Sequence, residues 1–209
     1  MVKTHVFIDG FNLYYGCLKG TDYKWLDVGR MCQNILKNAS VEKIYYFTAR
    51  VKPRDSDPTQ NARQDTYLRA LKTIPNTEVI FGHFLSHPVK MPRCSQKGIL
   101  TGQSCRVMKT EEKGSDVNLA SFLLRGAFQS EFEQAVLVTN DSDFGAPVNI
   151  VRQELGIKIG VLNPHPRRSR VLSDGADFMR PIRTGVLRVS QFPNELSDES
   201  GTFKKPAAW

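Results

Sequence analysis

Two apolar runs of this chain stop on aspartate. Val6-Phe7-Ile8 leads into Asp9 in the stretch VFIDGFN, and Leu137-Val138 leads through Thr139-Asn140 into Asp141, with Asp143 close behind, in LVTNDSDFG. A further acid, Asp116, lies in TEEKGSDVNLA, where the first turn of a helix is expected. Two unit charges about 4 Å apart repel by ~4 kcal/mol at an effective dielectric near 20. Carboxylates therefore share a site only where a cation neutralises them or one of them takes up a proton. Oxygen-rich acidic sites suit Mg²⁺ or Mn²⁺, which bind phosphate oxygens at the same time. One or two such ions activate water and stabilise a leaving oxygen. Each acid also has a structural reading. Asp116 suits the positive end of a helix dipole, Asp143 an N-cap and Asp9 a tight turn opened by Gly10. Any one of them alone reads as structural; the three segments together point to a site.

The elements that must position these acids alternate between strand and helix patterns. Thr4–Ile8 reads as a buried strand and Asn12–Lys19 as a short helix. Asp27 suits the N-cap of a helix running to about Asn38, with Val28, Met31, Cys32, Ile35 and Leu36 at helical spacing. Lys43–Val51 reads as a second strand. Asp57-Pro58 has the form of an N-cap followed by proline at the first helical position, and Pro75 ends that helix. Glu78–Leu85 reads as a third strand. Residues 86–104 lack a clear period and hold Pro88, Pro92, Gly98 and Gly102, so a surface excursion or weak hairpin is expected. A helix follows from Ser115, as N-cap, to about Gln129, with Val117, Ala120, Leu124, Ala127 and Phe128 on one stripe. Gln134–Thr139 is a strand, a helix beginning near Asp143 runs to Leu155 with Gly156 as its cap, and Lys158–Leu162 and Phe178–Ile182 are strands.

Strands separated by helix-length segments predict a parallel sheet covered on both faces, an α/β/α sandwich. Ligand sites in such sheets lie beyond the carboxyl ends of the strands at the topological switch point, and Asp9 and Asp141 both occupy such ends. Residues 1–190 are expected to form one domain, and residues 191–209 an extended polar tail.

Of the 209 residues, 40% are hydrophobic, which fits a globular chain. No apolar run is long enough to span a membrane, and MVKTHVFIDG reaches aspartate too soon for a signal-peptide apolar region. A cytoplasmic protein without membrane association is expected, and with it four reduced cysteines. His83, His87, Cys94 and Cys105 could ligate zinc, but their spacing lacks a C-x2-C knuckle, so ordinary loop residues is the better reading. The net charge is +8. From Ile150 to Ser190, eight basic residues (Arg152, Lys158, Arg167, Arg168, Arg170, Arg180, Arg183 and Arg188) face three acids (Glu154, Asp174 and Asp177). Such an excess suits a polyanion such as nucleic acid, against the plainer reading of a solvated basic face.

The stretches VFIDGFNLYYG, EEKGSDVNLASFLL and VLVTNDSDFGAPV resemble the three acidic motifs of the NYN domain, a branch of the PIN-like nuclease superfamily, and among its members the bacterial LabA-like subgroup most closely. The resemblance extends from about Thr4 to Arg183. It implies a PIN-like α/β/α sheet domain with the acids at one edge, and metal-dependent cleavage of RNA by an aspartate-held Mg²⁺ or Mn²⁺. Carried over residue by residue, it implies that Asp9, Asp116 and Asp141 bind metal, with Asp143 as a further acid. It implies that Asn12 positions substrate or a metal-bound water. The chain departs from simpler members in residues 86–104 and in its basic C-terminal third, which leaves the substrate contacts open.

Beside these acids, Arg167, Arg168 and Arg170 in NPHPRRSR offer donors to a phosphate backbone, or form an exposed turn. Lys109 and Lys113 flank the second acidic motif and could bind phosphate or balance the acids. His165, between prolines, reads as structural. No G-x-x-x-x-G-K-S/T loop or G-x-G-x-x-G fingerprint occurs. The leading expectation is a metal-dependent ribonuclease acting on single-stranded RNA. The alternatives are a non-catalytic RNA-binding or protein-interaction module of the same fold, and a phosphatase for small phosphoesters.

Overall fold

A computed structural model describes residues 1–209. The chain runs β1 (Val2–Asp9), α1 (Gly10–Leu13, continued by a π turn over Tyr14–Leu18), α2 (Val28–Ile35), β2 (Ala39–Thr48), α3 (Gln60–Leu71), β3 (Thr77–Phe81), β4 (His83–Cys94) and β5 (Leu100–Lys113). It continues through α4 (Ser115–Phe128), β6 (Gln134–Val138), α5 (Gly145–Asn149), β7 (Lys158–Asn163), α6 (Arg170–Gly175), β8 (Phe178–Pro181), α7 (Thr184–Val189), β9 (Glu195–Asp198) and β10 (Gly201–Lys204).

Six strands form one sheet in the order β3-β2-β1-β6-β7-β8, every neighbour parallel. Parallel strands are covered on both faces, so they read as continuous apolar runs, and alternate residues feed different cores. Val6, Ile8, Val136 and Val138 join Trp25, Leu26, Met31 and Leu71 in the larger core on one face. Phe7, Ala135 and Leu137 join Leu119, Leu123, Phe144 and Val148 on the other. The result is an α/β/α sandwich, as the alternating elements imply. The chain leaves β1 toward β2 and β3, then returns to place β6 on the other side of β1. The switch point therefore lies between β1 and β6, where Ile8 is level with Val138.

Several local expectations are corrected. Asp57 does not cap α3: it closes a turn with Arg54 and its carboxylate pairs with Arg63, and the helix begins at Gln60. The Arg63 guanidinium takes the side chain that would have capped, and the turn with Arg54 takes the Asp57 backbone. Ser115 is not the cap of α4 either. Gly114 takes that place at φ 98°, and Glu112 accepts from both the Ser115 N–H (3.1 Å) and its hydroxyl (2.7 Å). The buried stripe of α4 is Leu119, Leu123 and Ala127, whereas Val117 and Phe128 are 69% and 65% exposed. This helix is apolar around most of its circumference, so the pattern left its rotation open. By contrast, the hairpin expected around residues 86–104 is present, as part of a longer antiparallel pair, β4–β5, outside the main sheet. Residues 191–209 are not extended: β9 and β10 form a hairpin whose Phe203 is buried, and Trp209 packs its ring on Trp25 and Tyr67.

Candidate active site

Asp9 is the last residue of β1, and its burial follows from its position at the switch point. Only 6% of it is exposed. One carboxylate oxygen accepts from the Asn12 N–H (2.9 Å), capping α1, and the other accepts from the Thr139 hydroxyl (3.2 Å). Burial pushes the Asp9 pKa up to about 6; those two hydrogen bonds oppose the rise, and the fields of Asp116 and Asp141 add to it. The backbone next door leaves room for little else. A side chain on Gly10 would begin 2.6 Å from the Tyr46 ring and 2.8 Å from the Phe47 carbonyl.

Asp141 follows β6 after two residues that bind the segments together. Thr139, fully buried, donates to Asp9 and accepts from the Asp141 N–H (3.2 Å). The Asn12 side chain accepts from the Asn140 N–H (2.9 Å), so the turns after β1 and β6 are tied directly. Asp141 accepts from the Asp143 N–H (3.0 Å), which closes the first helical turn and fixes Asp143 on its exposed side. The N-cap expected at Asp143 is instead Asp141, and Asp143 is the residue capped. Asp116, in the first turn of α4, has its pKa raised by desolvation, then by Asp141, Glu112 and Asp143. The mutual fields place Asp9, Asp116, Asp141 and Asp143 in one acidic neighbourhood. None of the four takes part in an ion pair.

The basic candidates divide. Asn140 donates to the Arg167 carbonyl (3.0 Å) and accepts from the Ser169 N–H (2.7 Å), so the Arg167–Arg168–Arg170 loop is strapped to the turn that carries Asp141. Arg167 and Arg168 are exposed and unpaired, whereas Arg170 lies 3.8 Å from Asp174. His165 sits in the same loop, which Asn163 bridges internally. Lys109 and Lys113 do not reach the four acids: both pair with Glu111, at 2.8 and 3.7 Å. Glu112, Thr139 and Asn140 belong to the site although sequence reasoning missed them. Their signal was present, since Glu112 precedes Ser115 by the three residues of a capping interaction and Thr139-Asn140 lie between strand and acid.

Four carboxylates without a counter-cation, beside an amide oxygen, have the donor chemistry of a site for a hard divalent ion. In this conformation, however, no group of three or more His, Cys, Asp or Glu side chains stands close enough to hold a metal. The same holds for His83, His87, Cys94 and Cys105, which spread along the β4–β5 hairpin from its base to its tip.

A parallel α/β/α sandwich with clustered acids at its switch point has the architecture of the PIN-like nuclease superfamily. The NYN domain model matches residues 3–183, and the chain belongs to the NYN domain family. It is 31% identical over 240 residues to 6-hydroxy-3-succinoylpyridine 3-monooxygenase HspA of Pseudomonas putida (strain DSM 28022 / S16), an alignment covering 100% of this chain and 75% of that protein. Among solved structures, a protein of unknown function from Vibrio parahaemolyticus RIMD 2210633, VPA0982, superposes with a TM-score of 0.57 at 19% identity, over 88% of this chain and 94% of that one. No helix is long and apolar enough to cross a membrane.

Proposed function

We propose that this protein is a metal-dependent ribonuclease of the LabA-like kind, cytoplasmic, which hydrolyses phosphodiester bonds of single-stranded RNA at the Asp9 edge. The observation that carries the reading is the acidic neighbourhood at the switch point: four aspartates without an ion pair, one of them with its pKa raised to about 6. Asp9, Asp116, Asp141 and Asp143 would hold Mg²⁺ or Mn²⁺, which when bound neutralises the acids, activates water and stabilises the leaving 3′ oxygen. The exposed Asp116 and Asp143 would swing inward to complete the ligand set. Asn12 holds the two acidic turns in register through Asn140. Asn140 in turn keeps the Arg167–Arg168 loop beside Asp141, where guanidinium groups meet the phosphates flanking the cut. The test is to incubate purified protein with mixed RNAs, with and without Mn²⁺. Cleavage that needs the metal supports the reading. Binding without cleavage, with or without Mn²⁺, would leave the non-catalytic RNA-binding module in its place.

The relative named as a monooxygenase favours a second reading, hydroxylation of a substituted pyridine. Supplying 6-hydroxy-3-succinoylpyridine with oxygen and a reductant separates the two. A hydroxylated product from a chain that cuts no RNA would decide for the oxygenase.

A further inference from the structure

We infer that the β4–β5 hairpin is an arm that binds single-stranded RNA and leads it to the acidic edge along one of its two faces. The inference takes the class of partner from the proposed function but does not depend on cleavage.

The hairpin begins where β3 ends, at the carboxyl edge of the sheet. Gly82 makes the junction possible: a side chain there would begin 2.3 Å from a Glu112 carboxylate oxygen and 2.6 Å from the Lys113 carbonyl. At the base, Phe84 sets its ring against Phe11 (5.8 Å), the neighbour of Asn12. The register pairs Phe84 with Glu112, Ser86 with Thr110, Pro88 with Met108 and Lys90 with Arg106. Alternate residues of a strand share a face, so these pairs form one surface, and the Ser86–Thr110 hydroxyl contact (2.9 Å) agrees with it. That surface starts at Glu112, whose charge acts on Asp116, and runs outward. At about 3.3 Å per residue, the Lys90–Arg106 pair stands about 20 Å beyond Phe84. Lys109 and Lys113 lie on the opposite face, where Glu111 already engages them.

Charge identifies the occupant. From His83 to Thr110 the chain has no acidic residue, and Lys90, Arg93, Lys97 and Arg106 are exposed and outside every ion pair. Lys90 directly opposite Arg106 is a like-charge cross-strand pair, which is unfavourable unless an anion lies over it. Between these cations and the acids lie Pro88 and the 67% exposed Met108, an apolar stretch on which unpaired bases can rest. Single-strand binding combines cations that track the backbone with side chains on which bases stack. Here the Lys90–Arg106 pair, with Arg93 and Lys97 nearer the tip, supplies the cations, and Phe84, Pro88 and Met108 line the way to the acids. Exposed Ile99 and Leu100 at the tip are the feature that would instead suit a protein partner.

The experiment measures binding by fluorescence anisotropy, in chelator, of a trinucleotide and of a single-stranded RNA of about 20 nucleotides. The full chain is compared with a variant carrying Lys90→Gln, Arg93→Gln, Lys97→Gln and Arg106→Gln. The long RNA should bind about tenfold or more weakly to the variant, with a log–log salt slope reduced by roughly 0.7 for each phosphate the variant no longer neutralises. The trinucleotide should bind both alike, and exchanging each Lys for Arg and each Arg for Lys should restore the long RNA. An unchanged slope, or equal losses for both RNAs, would overturn the arm. So would Ile99→Ser with Leu100→Ser altering the oligomeric state while the four-cation variant binds RNA normally, which would assign the hairpin to a second copy. The two readings fail separately. A chain that cuts nothing but shows the length-dependent loss keeps the arm, and one that cuts RNA with unaltered binding keeps the enzyme.

Discussion

Replacing Asp9 with asparagine should change the pH dependence of stability more than the stability itself. The folded Asp9 has a pKa of about 6 against an ordinary value of 3.8. At 1.36 kcal/mol per unit, the difference is about 3 kcal/mol. Because the folded value is the higher one, the native state binds the proton more tightly than the unfolded chain. The associated stability is complete below about pH 4 and is lost as pH rises through about 6. Between pH 5 and pH 8 the loss comes to about 1.4 kcal/mol by the same linkage. Asp9→Asn removes this contribution. The amide can still accept from the Asn12 N–H, but it turns a donor toward Thr139, whose hydroxyl then loses its acceptor. Losing that hydrogen bond costs about 1 kcal/mol at every pH.

The two effects separate in a pH series of thermal melts without metal. For a chain of this size 1 kcal/mol corresponds to about 2–4 °C. The melting temperature of Asp9→Asn, measured relative to wild type, should therefore climb by about 3–6 °C between pH 5 and pH 8. A difference that stays constant, or falls as pH rises, would refute the view of Asp9 as an anion held against its own desolvation.

Other perturbations test the surroundings. Mg²⁺ or Mn²⁺ at a hundred times its dissociation constant should stabilise wild type by about 2.7 kcal/mol and Asp9→Asn by far less; the absence of a thermal shift at millimolar metal would count against a cation site. Phe203→Ala should cost about 3 kcal/mol, because its buried ring lies under the Arg69 guanidinium at 4.2 Å; a change below 1 kcal/mol in denaturant melts would mean that the C-terminal hairpin is not held to the body. Replacing Arg167, Arg168 and Arg170 together with alanine should flatten the salt dependence of RNA binding by roughly 0.7 for each phosphate left without its guanidinium. An unchanged slope would make them a solvated turn.

The site was legible in the sequence where local pattern and global position agree. Val6-Phe7-Ile8 before Asp9 and Ala135–Val138 before Asp141 are buried on both faces, which only a covered parallel sheet provides, and the acids at their ends followed from it. Features set by competition between partners were not legible. Asp57 has the pattern of a cap, but Arg63 and the turn at Arg54 take it. Ser115 has the pattern of a cap as well, but Glu112 reaches it from the end of β5 and a left-handed Gly114 precedes it. Residues 86–104 lack a period because both faces of a projecting hairpin meet solvent, so nothing imposes alternation on them. The tail, polar in composition, is held by three widely spaced residues, Leu196, Phe203 and Trp209, against the core around Trp25 and Tyr67. Such a sparse pattern cannot be told from an extended segment by periodicity.

The central claim is that the acids act on the reaction and not on the hold over RNA. Asp141→Asn tests it most directly, because the change nearly preserves size and removes a charge that repels phosphate. Filter binding and single-turnover cleavage of the same labelled RNA are measured for wild type and variant in Mg²⁺ and Mn²⁺. Binding should be retained or tightened, and cleavage should fall by orders of magnitude. Equal cleavage by both proteins, or none by either, would contradict the account.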